Sequence, residues 1–354
     1  MGGILVFKVK SYKGIYKVET IDHLTFDDNK GDIIVVDSFI WDQYISVLNH
    51  MDIFDASVYV LETTEETKTL EESQKLIDKM IQIGFNKSNK LIAVGGGVIQ
   101  DLVSFTASIY SRGVDWVFYP TTLLAQCDSC IGSKTSINYK GSKNKLGGFH
   151  PPKEIYIYRK FLETLPESEI KSGIGEMLHY FLLDHNFDIS EKMVNDENVL
   201  ENIEEYVKES LSIKKEMIEK DEFDKGERNL FNYGHTFGHA IESISNYEVN
   251  HGQAVTLGME IANRISLKKE LISKDVYKRL NNILIKNIPN YGINNNDKYV
   301  QALNNDKKNI SNNLTCILLT SEYAIKTEIA YEDVVEVINE LFGDNLNYPI
   351  DFMI

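Results

Sequence analysis

The sequence predicts an α/β chain: an N-terminal domain with a parallel sheet, followed by a mainly α-helical C-terminal domain. Short apolar segments at Asp32–Asp37, Ala56–Leu61 and Lys90–Val94 are typical of buried strands, and an amphipathic segment at Glu71–Ile83 separates the last two. Strands that alternate with helices indicate βαβ units, which form parallel sheets covered by helices. From about Phe161 onward, long helical patterns replace this alternation.

The helical part of the chain predicts a second domain. Amphipathic periodicity marks helices at Glu167–Leu183, Val199–Glu219, Gly226–Ser245, Gly252–Leu271 and Lys274–Lys286. A hairpin of Leu314–Leu319 with Ala324–Ile329 and a last helix at Tyr331–Phe342 follow. We therefore expect two domains, at residues 1–160 and 161–354.

The composition argues against several classes of protein. Of the 354 residues, 43% are hydrophobic and 25% are charged, as in ordinary soluble proteins. The formal net charge of −16 argues against nucleic acid as a partner, because such binding depends on neutralising phosphates. The N-terminus lacks the apolar core of a signal peptide, and no apolar run approaches the ~20 residues of a membrane helix. We expect a cytoplasmic protein that binds neither nucleic acid nor membranes.

The cysteines, Cys127, Cys130 and Cys316, give no disulfide framework. Cys127 and Cys130 form a CxxC pair, but one such pair is a weak indication of zinc binding or redox chemistry. We interpret both as small side chains within a more important segment.

Four polar side chains predict half of an active site. Arg228, Asn232, His235 and His239 follow one another at spacings of four, three and four residues, which places them on one face of a helix. A single helical histidine is usually a capping or surface residue, whereas four aligned groups are hard to explain by packing or solubility. A further imidazole, His251, follows after a short loop.

These histidines have a carboxylate counterpart on the predicted helix Glu167–Leu183. Glu176 and His179 lie three residues apart there and therefore share a face. One carboxylate and two imidazoles, from Glu176, His235 and His251, would make a zinc-type site with open positions for a substrate. Such an open site is typical of catalytic metal centres, not of structural ones.

A glycine turn predicts a dinucleotide site in the N-terminal domain. Gly95, Gly96 and Gly97 join the strand Lys90–Val94 to a predicted helix, and such a turn lets the backbone approach a pyrophosphate at the helix N-terminus. The turn lacks the GxGxxG pattern, so a purely structural turn is the alternative. Asp37, at the end of an earlier strand, is a candidate for binding ribose hydroxyls or, alternatively, for capping a turn.

A segment rich in glycine, serine and lysine, at residues 126–152, predicts an anion-binding loop. Lysine supplies compact positive charge, and small residues allow a phosphate or carboxylate to approach closely. A solvated basic loop is the alternative interpretation. The candidate residues are Asp128, Lys134, Lys143 and Asn144.

Several segments together resemble the 3-dehydroquinate synthase family, a branch of the sugar-phosphate cyclases. The matching motifs are GGGVIQDLVSFTASIYSRG, PTTLLAQCDS, GSKT, SKNKLGGFHPP, LETLPESEIKSGIGEM, RNLFNYGHTFGHAIE and HGQAVTLGM. The match spans roughly Asp37 to Lys308, which is most of the chain, and the long histidine-containing motif is highly specific. The resemblance implies an NAD-binding α/β domain, a helical domain that binds metal and substrate, one divalent ion (zinc or cobalt) and a homodimer.

The resemblance also implies roles for individual residues. The metal ligands would be Glu176, His235 and His251. The NAD contacts would be Asp37, Glu65, Lys68, Gly95, Gly96, Gly97, Asp101, Thr121, Thr122 and Lys143. The catalytic and substrate-binding residues would be Asp128, Lys134, Asn144, His179, Lys214, Arg228, Asn232, His239 and Lys307. Arg112 would reach the phosphate site of the partner subunit.

The activity implied by the resemblance is a redox-neutral cyclisation of 3-deoxy-D-arabino-heptulosonate 7-phosphate to 3-dehydroquinate and phosphate. NAD would oxidise a ring hydroxyl held on the metal and so acidify the neighbouring C–H bond. Phosphate elimination, reduction of the ketone and an aldol ring closure would follow. Arg228 would grip the substrate carboxylate. The groups that would bind its phosphate are Lys134, Asn144, Asn232, His239 and Lys307.

Three positions depart from the family pattern. His179 stands where the family has a lysine that contacts ring hydroxyls, and Gln100 and Ser133 replace glycines. The first exchange replaces a permanent cation by a titrating imidazole. Because of this exchange, the alternative that the protein is a related cyclase, which makes an inosose, a valiolone or another cyclitol, stays open.

Two more distant alternatives belong to other classes. A metal-dependent polyol dehydrogenase of similar fold would produce net NADH, which a cyclase would not. A non-catalytic binding protein is the other, although an intact metal triad and nucleotide turn argue against it. Arg228, with Lys214 and Asn232, argues against substrates that lack a carboxylate, because a buried unpaired arginine is costly.

Overall fold

The computed structural model of the chain contains two compact units. Residues are described in the ranges 6–46, 55–246, 248–291, 296–305 and 313–342. Within these ranges, no helix combines the length and the apolar character needed to cross a membrane.

The division into units assigns the segment Lys214–Phe223 to unit 1, whereas the sequence placed it in the predicted second domain. Unit 1 comprises Met1–Leu165 and Lys214–Phe223, and unit 2 comprises Pro166–Ile213 and Asp224–Ile354. The backbone N–H of Lys10 donates to Oε1 of Glu219 (2.8 Å), which ties the segment Lys214–Phe223 to the rest of unit 1. The predicted domains at residues 1–160 and 161–354 stay a prediction.

Unit 1 is organised around a parallel sheet, as the sequence predicted. Its strands are β1 Val6–Ser11, β2 Gly14–Thr20, β3 Ile33–Asp37, β4 Ser57–Leu61, β5 Lys90–Gly95, β6 Asp115–Pro120, β7 Lys134–Tyr139, β8 Ser142–Phe149 and β9 Glu154–Ile157. Seven of them form one sheet in the order β1-β2-β9-β6-β5-β3-β4. The β1–β2 pair is antiparallel and the other neighbours are parallel. The continuous apolar runs of β3 and β5 are buried, as expected for a sheet covered on both faces.

The helices of unit 1 connect these strands. Among the described residues they include α1 Ser38–Ile40, α2 Leu70–Gln82 and α3 Gly97–Ile109. Helix α2 begins where the Thr69 side chain accepts a hydrogen bond from the backbone N–H of Glu72 (3.2 Å), an N-cap that satisfies one free donor. Its Leu76 and Met80, four residues apart, are buried in the core.

The carboxyl ends of β3 and β5 form a topological switch point. The chain passes from β4, on one side of β3, to β5, on its other side, and Val36 pairs with Val94. In parallel α/β sheets, ligands bind in the crevice at such a point. Asp37 and Gly95 end these two strands, so the fold brings together the two features from which the sequence predicted a dinucleotide site.

The prediction of an anion-binding loop at residues 126–152 was wrong in its secondary structure. Strands β7 and β8 form an antiparallel hairpin that includes Lys134 and Asn144. Thr135 and Ile137 are buried while their neighbours are more exposed, which is the alternation of a half-buried strand. The small and charged residues of β8 obscure that alternation in the sequence.

Unit 2 is mainly helical, which confirms the predicted fold class. Its elements are α4 Glu167–Leu183, α5 Phe187–Val194, α6 Ile203–Lys220, α7 His235–Ile244, α8 His251–Lys268, α9 Lys274–Leu284, α10 Asn296–Asn305, β10 Asn313–Leu319, β11 Ala324–Ala330 and α11 Tyr331–Phe342. The end of α6 belongs to unit 1. Most residues of α8 are buried, so this helix forms the centre of the unit.

The single helix predicted at Gly226–Ser245 was wrong. A 3₁₀ turn at Glu227–Asn232 ends before Gly234, whose φ of +76° lies in the left-handed region, and α7 starts afterwards. The buried Tyr233 between them donates its hydroxyl to Oδ1 of Asn263 (2.7 Å), which fixes the break. Arg228 and Asn232 therefore do not share a helix with His235 and His239.

Helices α4 and α8 touch backbone to backbone at two glycines. A Cβ on Gly252 would overlap the backbone oxygen of Ser172, and a Cβ on Gly175 would overlap the backbone oxygen of Gly252. The backbone N–H of Gly252 also donates to Oγ of Ser172 (3.1 Å). Only glycine allows the two helices to approach this closely.

We predict that Gly252→Ala lowers the free energy of unfolding by about 3 kcal/mol, because the added methyl group has no space without moving a helix. Thermal and denaturant unfolding measure this change. Gly148→Ala is the matched control, since a Cβ there meets no atom within 4 Å. An equal, small effect of both substitutions would contradict the proposed close contact.

Candidate functional site

Three groups that the sequence proposed as metal ligands converge in unit 2. Oε1 of Glu176 lies 3.8 Å from Nε2 of His235, and its Oε2 lies 3.7 Å from Nε2 of His251. The donor atoms all lie within 4.8 Å of one another. Glu176 is on α4, His235 begins α7 and His251 begins α8, so each of three helices contributes one donor.

This donor set fits a divalent metal ion. Tetrahedral bonds of about 2.1 Å would place neighbouring donors about 3.4 Å apart, slightly closer than they lie here. The Glu176 side chain is 4% exposed, whereas that of His251 is 33% exposed. The group is therefore anchored in the protein on one side and accessible on the other, as in a catalytic three-ligand site.

The surroundings of His235 keep it in the form that binds metals. Burial lowers the pKa of His235 well below its ordinary value, and three nearby imidazoles lower it further, those of His179, His251 and His239. Nδ1 of His235 lies 3.2 Å from the backbone oxygen of Tyr233. A carbonyl only accepts hydrogen bonds, so Nδ1 carries the proton and the lone pair is on Nε2, which faces Glu176.

His179 lies behind this group in an aromatic environment. Its side chain is fully buried, and its ring centroid is 4.8 Å from that of His235 and 4.9 Å from that of Tyr180. Nδ1 of His179 is 3.7 Å from Oε1 of Glu176. Among the described residues, the set of mutually close donors around Glu176 comprises His235 and His251 and does not include His179. Its role as a substrate contact stays a prediction.

The other predicted residues of unit 2 fall into three environments. Arg228 is buried on the 3₁₀ turn, and Asn232 donates its side-chain amide to the backbone oxygen of Asn229 (2.8 Å). His239 is exposed, with its ring 5.5 Å from that of His235. Lys307 lies outside the described residues. Their roles as substrate contacts stay predictions.

In unit 1, the glycine turn has the geometry expected of a pyrophosphate site. Gly96 is the N-cap of α3, which begins at Gly97, and no atom lies within 4 Å of a Cβ built on Gly97. The space next to this helix N-terminus is open, and its N–H groups attract negative charge. The backbone N–H of Thr121 donates to the oxygen of Gly95 (3.0 Å), and Thr122 packs against Gly96.

Asp37 caps the helix that follows β3. Its Oδ1 accepts from the backbone N–H of Ile40 (3.2 Å), and its Oδ2 accepts from the hydroxyl of Thr63. The capping role that the sequence left open is therefore present. Binding of ribose hydroxyls by the same carboxylate stays a prediction.

Lys68 contacts two residues to which the family resemblance assigns different ligands, Asp101 to NAD and Asn144 to the substrate. The ammonium group of the buried Lys68 lies 3.1 Å from Oδ2 of Asp101 and 2.9 Å from Oδ1 of Asn144. It also lies 3.4 Å from Oε1 of Glu65. Burial raises the pKa of Asp101, and the charge of Lys68 opposes this rise.

The remaining candidates of unit 1 differ in exposure. Nζ of the buried Lys214 donates to Oδ1 (2.8 Å) and to the backbone oxygen (2.7 Å) of Asp128. Lys134, Lys143 and Arg112 are exposed. Their predicted contacts are not tested by this geometry.

The CxxC pair has a structural environment. Cys127 and Cys130 are fully buried, and their thiols donate to the backbone oxygens of Leu124 and Gln126. Burial raises the pKa of Cys130 to about 12, so its thiol is protonated and unreactive at neutral pH.

Sequence reasoning missed one carboxylate at the metal group, Glu242. Its Oε2 lies 3.2 Å from Nδ1 of His251. The available signal was its position three residues after His239, on the face of the histidines, but an exposed helical glutamate has the same pattern.

Comparison with known proteins identifies the family of this chain. Family models described as the N-terminal and C-terminal parts of 3-dehydroquinate synthase match residues 58–172 and 173–309. The 3-dehydroquinate synthase of Clostridium tetani is 37% identical over 297 residues, covering 82% of this chain and 79% of that protein. The bifunctional 3-dehydroquinate synthase/phosphatase of Fusobacterium nucleatum is 34% identical, covering 99% of this chain and 53% of that protein.

Solved structures of sugar-phosphate cyclases share the fold. A 2-deoxy-scyllo-inosose synthase in complex with carbaglucose-6-phosphate, NAD⁺ and Co²⁺ matches with a TM-score of 0.81 and 23% identity, covering 95% of this chain and 99% of that one. The 2-epi-5-epi-valiolone synthase of Streptomyces hygroscopicus, with NAD⁺ and Zn²⁺, matches with a TM-score of 0.77 and 22% identity, covering 92% and 96%. These likenesses concern the fold, while the two family models together match more than half of the sequence. The chain therefore belongs to the 3-dehydroquinate synthase family.

Proposed function

We propose that this protein is a 3-dehydroquinate synthase, which converts 3-deoxy-D-arabino-heptulosonate 7-phosphate to 3-dehydroquinate and phosphate. The observation that carries the proposal is the convergence of Glu176, His235 and His251 in a member of this family. When bound, NAD would supply a temporary hydride acceptor and a zinc or cobalt ion would supply a Lewis acid. Glu176 and the two Nε2 atoms would hold the ion, and Gly95–Gly97 would hold the NAD pyrophosphate.

The proposed substrate carries a carboxylate and a phosphate. These two anionic groups would explain why the candidate substrate contacts include lysines and an arginine although the net charge of the chain is −16. Arg228 offers a planar fork suited to a carboxylate. The proposed phosphate contacts are Lys134, Asn144, Asn232, His239 and Lys307. Local convergence of cations attracts an anion even where the net charge is negative. We further propose a cytoplasmic homodimer in which Arg112 reaches the partner subunit's phosphate site.

The experiment that tests the proposal is incubation of the purified protein with NAD, Zn²⁺ or Co²⁺, and the heptulosonate phosphate. We expect equal amounts of phosphate and 3-dehydroquinate without net NADH. Net NADH from a polyol would instead indicate a dehydrogenase. Turnover restricted to a sugar phosphate without a carboxylate would indicate the inosose or valiolone class, which the exchange to His179 favours.

We predict that turnover requires one metal ion per chain. Chelation should abolish activity, and added Zn²⁺ or Co²⁺ should restore it. His235→Ala should lower kcat/KM by more than about 100-fold, because it removes a ligand and not merely a supporting contact. The exposed His23, changed to alanine, is the control that should retain activity. Full activity in protein shown by elemental analysis to lack metal would contradict the prediction.

We predict that Arg228→Lys lowers kcat/KM for the heptulosonate phosphate by about 10- to 100-fold, since lysine keeps the charge but loses the bidentate fork. Steady-state kinetics with the carboxylated substrate and an analogue lacking the carboxylate measure the effect. Arg279→Lys is the matched control, because Arg279 pairs with Asp188 and Glu191, neither of which is a candidate site residue. A loss equal for both substrates would argue against a carboxylate contact.

We predict that His179→Lys preserves or raises activity toward the heptulosonate phosphate and leaves the metal content unchanged. Lysine restores the N–H donor that the family pattern directs at the ring hydroxyls of the substrate, and His179 lies outside the group of close donors around Glu176. His179→Phe fills similar space without a donor and should lower kcat/KM. Loss of metal from a folded His179→Lys protein would show that His179 is a ligand.

A further inference from the structure

The two ring nitrogens of His251 have different carboxylate neighbours. Nε2 lies 3.7 Å from Oε2 of Glu176, within the candidate metal group. Nδ1 lies 3.2 Å from Oε2 of Glu242, a hydrogen-bonding distance. Glu242 is near the end of α7, and His251 is the first residue of α8, so this bond connects two helices.

We infer that Glu242 is a positioning residue that orients the imidazole of His251 for metal binding. The inference rests on the proposed metal site. An ionised carboxylate only accepts hydrogen bonds, so Nδ1 must carry the proton when the bond forms. A neutral imidazole then has its lone pair on Nε2, the atom that faces Glu176.

The backbone of His251 is fixed independently of Glu242. The side chain of Asn250 donates to Oε1 of Glu169 (2.9 Å), and the backbone N–H of Gly252 donates to Oγ of Ser172 (3.1 Å). Both acceptors are on α4, and they hold the chain on either side of His251. Rotation of the ring is the freedom that remains, and the bond to Glu242 restricts it.

His251 depends on a side chain for this orientation more than His235 does. A backbone oxygen, that of Tyr233, fixes the tautomer of His235, which is 13% exposed. His251 is 33% exposed, so its ring has more room to turn. The Glu242 side chain is only 13% exposed, which shields the bond from competing water.

A second cation site is the competing explanation for Glu242. Donor atoms of His239, Glu242 and His251 also lie within 4.8 Å of one another. However, a neutral imidazole has one ring nitrogen with a free lone pair. His251 therefore cannot bind one ion beside Glu176 and a second ion beside Glu242 at the same time. The separation of 3.2 Å between Nδ1 and Oε2 is that of a hydrogen bond, which favours one ion per chain.

The test measures metal binding without substrate in the full chain. Co²⁺ is added to metal-free protein, and its d–d absorption spectrum is recorded. Zn²⁺ affinity is then measured by competition with a chelating indicator. The variants are Glu242→Ala, which removes the acceptor, and Glu242→Gln, which keeps an oxygen acceptor without the charge. Glu248→Gln removes the charge of an exposed glutamate in the loop before α8 and is the matched control.

We expect Glu242→Ala to weaken Zn²⁺ binding by about 10- to 100-fold and to change the Co²⁺ spectrum. Glu242→Gln should show a smaller loss, and Glu248→Gln should match the unaltered protein. Circular dichroism should show an unchanged fold in each. Unaltered affinity and spectrum in both Glu242 variants would overturn the inference while leaving the metal site intact. Two Co²⁺ ions per chain, one of them lost in Glu242→Ala, would also overturn it. An unaltered protein that binds no metal would refute the proposed metal site itself.

Discussion

The metal group depends on the backbone contact between α4 and α8. Gly175 and Gly252 form that contact, and each is the immediate sequence neighbour of a candidate ligand, Glu176 and His251 respectively. Because the two backbones touch, side chains of ordinary length bring a carboxylate and an imidazole within 3.7 Å. Larger residues at the glycines would separate the helices, and the donors would separate with them. The same residues therefore determine helix packing and ligand geometry.

Both candidate histidine ligands occupy the first position of a helix. The N-terminus of a helix disfavours positive charge, so it disfavours a protonated imidazole. His235 gains this position from the break at Gly234, which also leaves the oxygen of Tyr233 next to its Nδ1. His251 is the first residue of α8, and its Nδ1 lies next to the Glu242 carboxylate instead of a backbone oxygen. Two different local structures thus give the same result, a ring whose Nε2 faces Glu176.

The sequence predicted elements well where a periodic pattern was long, and less well where one glycine changed the path. The bounds of α4 and α11 agree with those of the predicted helices. The four polar residues Arg228, Asn232, His235 and His239 also have helical spacing. Gly234 nevertheless takes a left-handed conformation between them, and the periodicity of the sequence does not reveal it. The ligand set could be proposed because its motif is specific. Glu242 could not, because its importance arises from a contact made only when α7 and α8 pack together.

In unit 1, one hydrogen-bond network joins groups that the family resemblance assigns to different molecules. Lys68 bonds Asp101, at the start of the helix after the glycine turn, and Asn144, on β8. Asp101 also accepts a hydrogen bond from the backbone N–H of Ser136, on β7 (3.2 Å). The partly buried carboxylate of Asp101 and the buried ammonium group of Lys68 each need the other, since either alone would carry an unpaired charge away from water. The position of the β7–β8 hairpin is therefore linked to the helix that follows the glycine turn. Residues expected to contact NAD and residues expected to contact the substrate cannot shift independently in this unit.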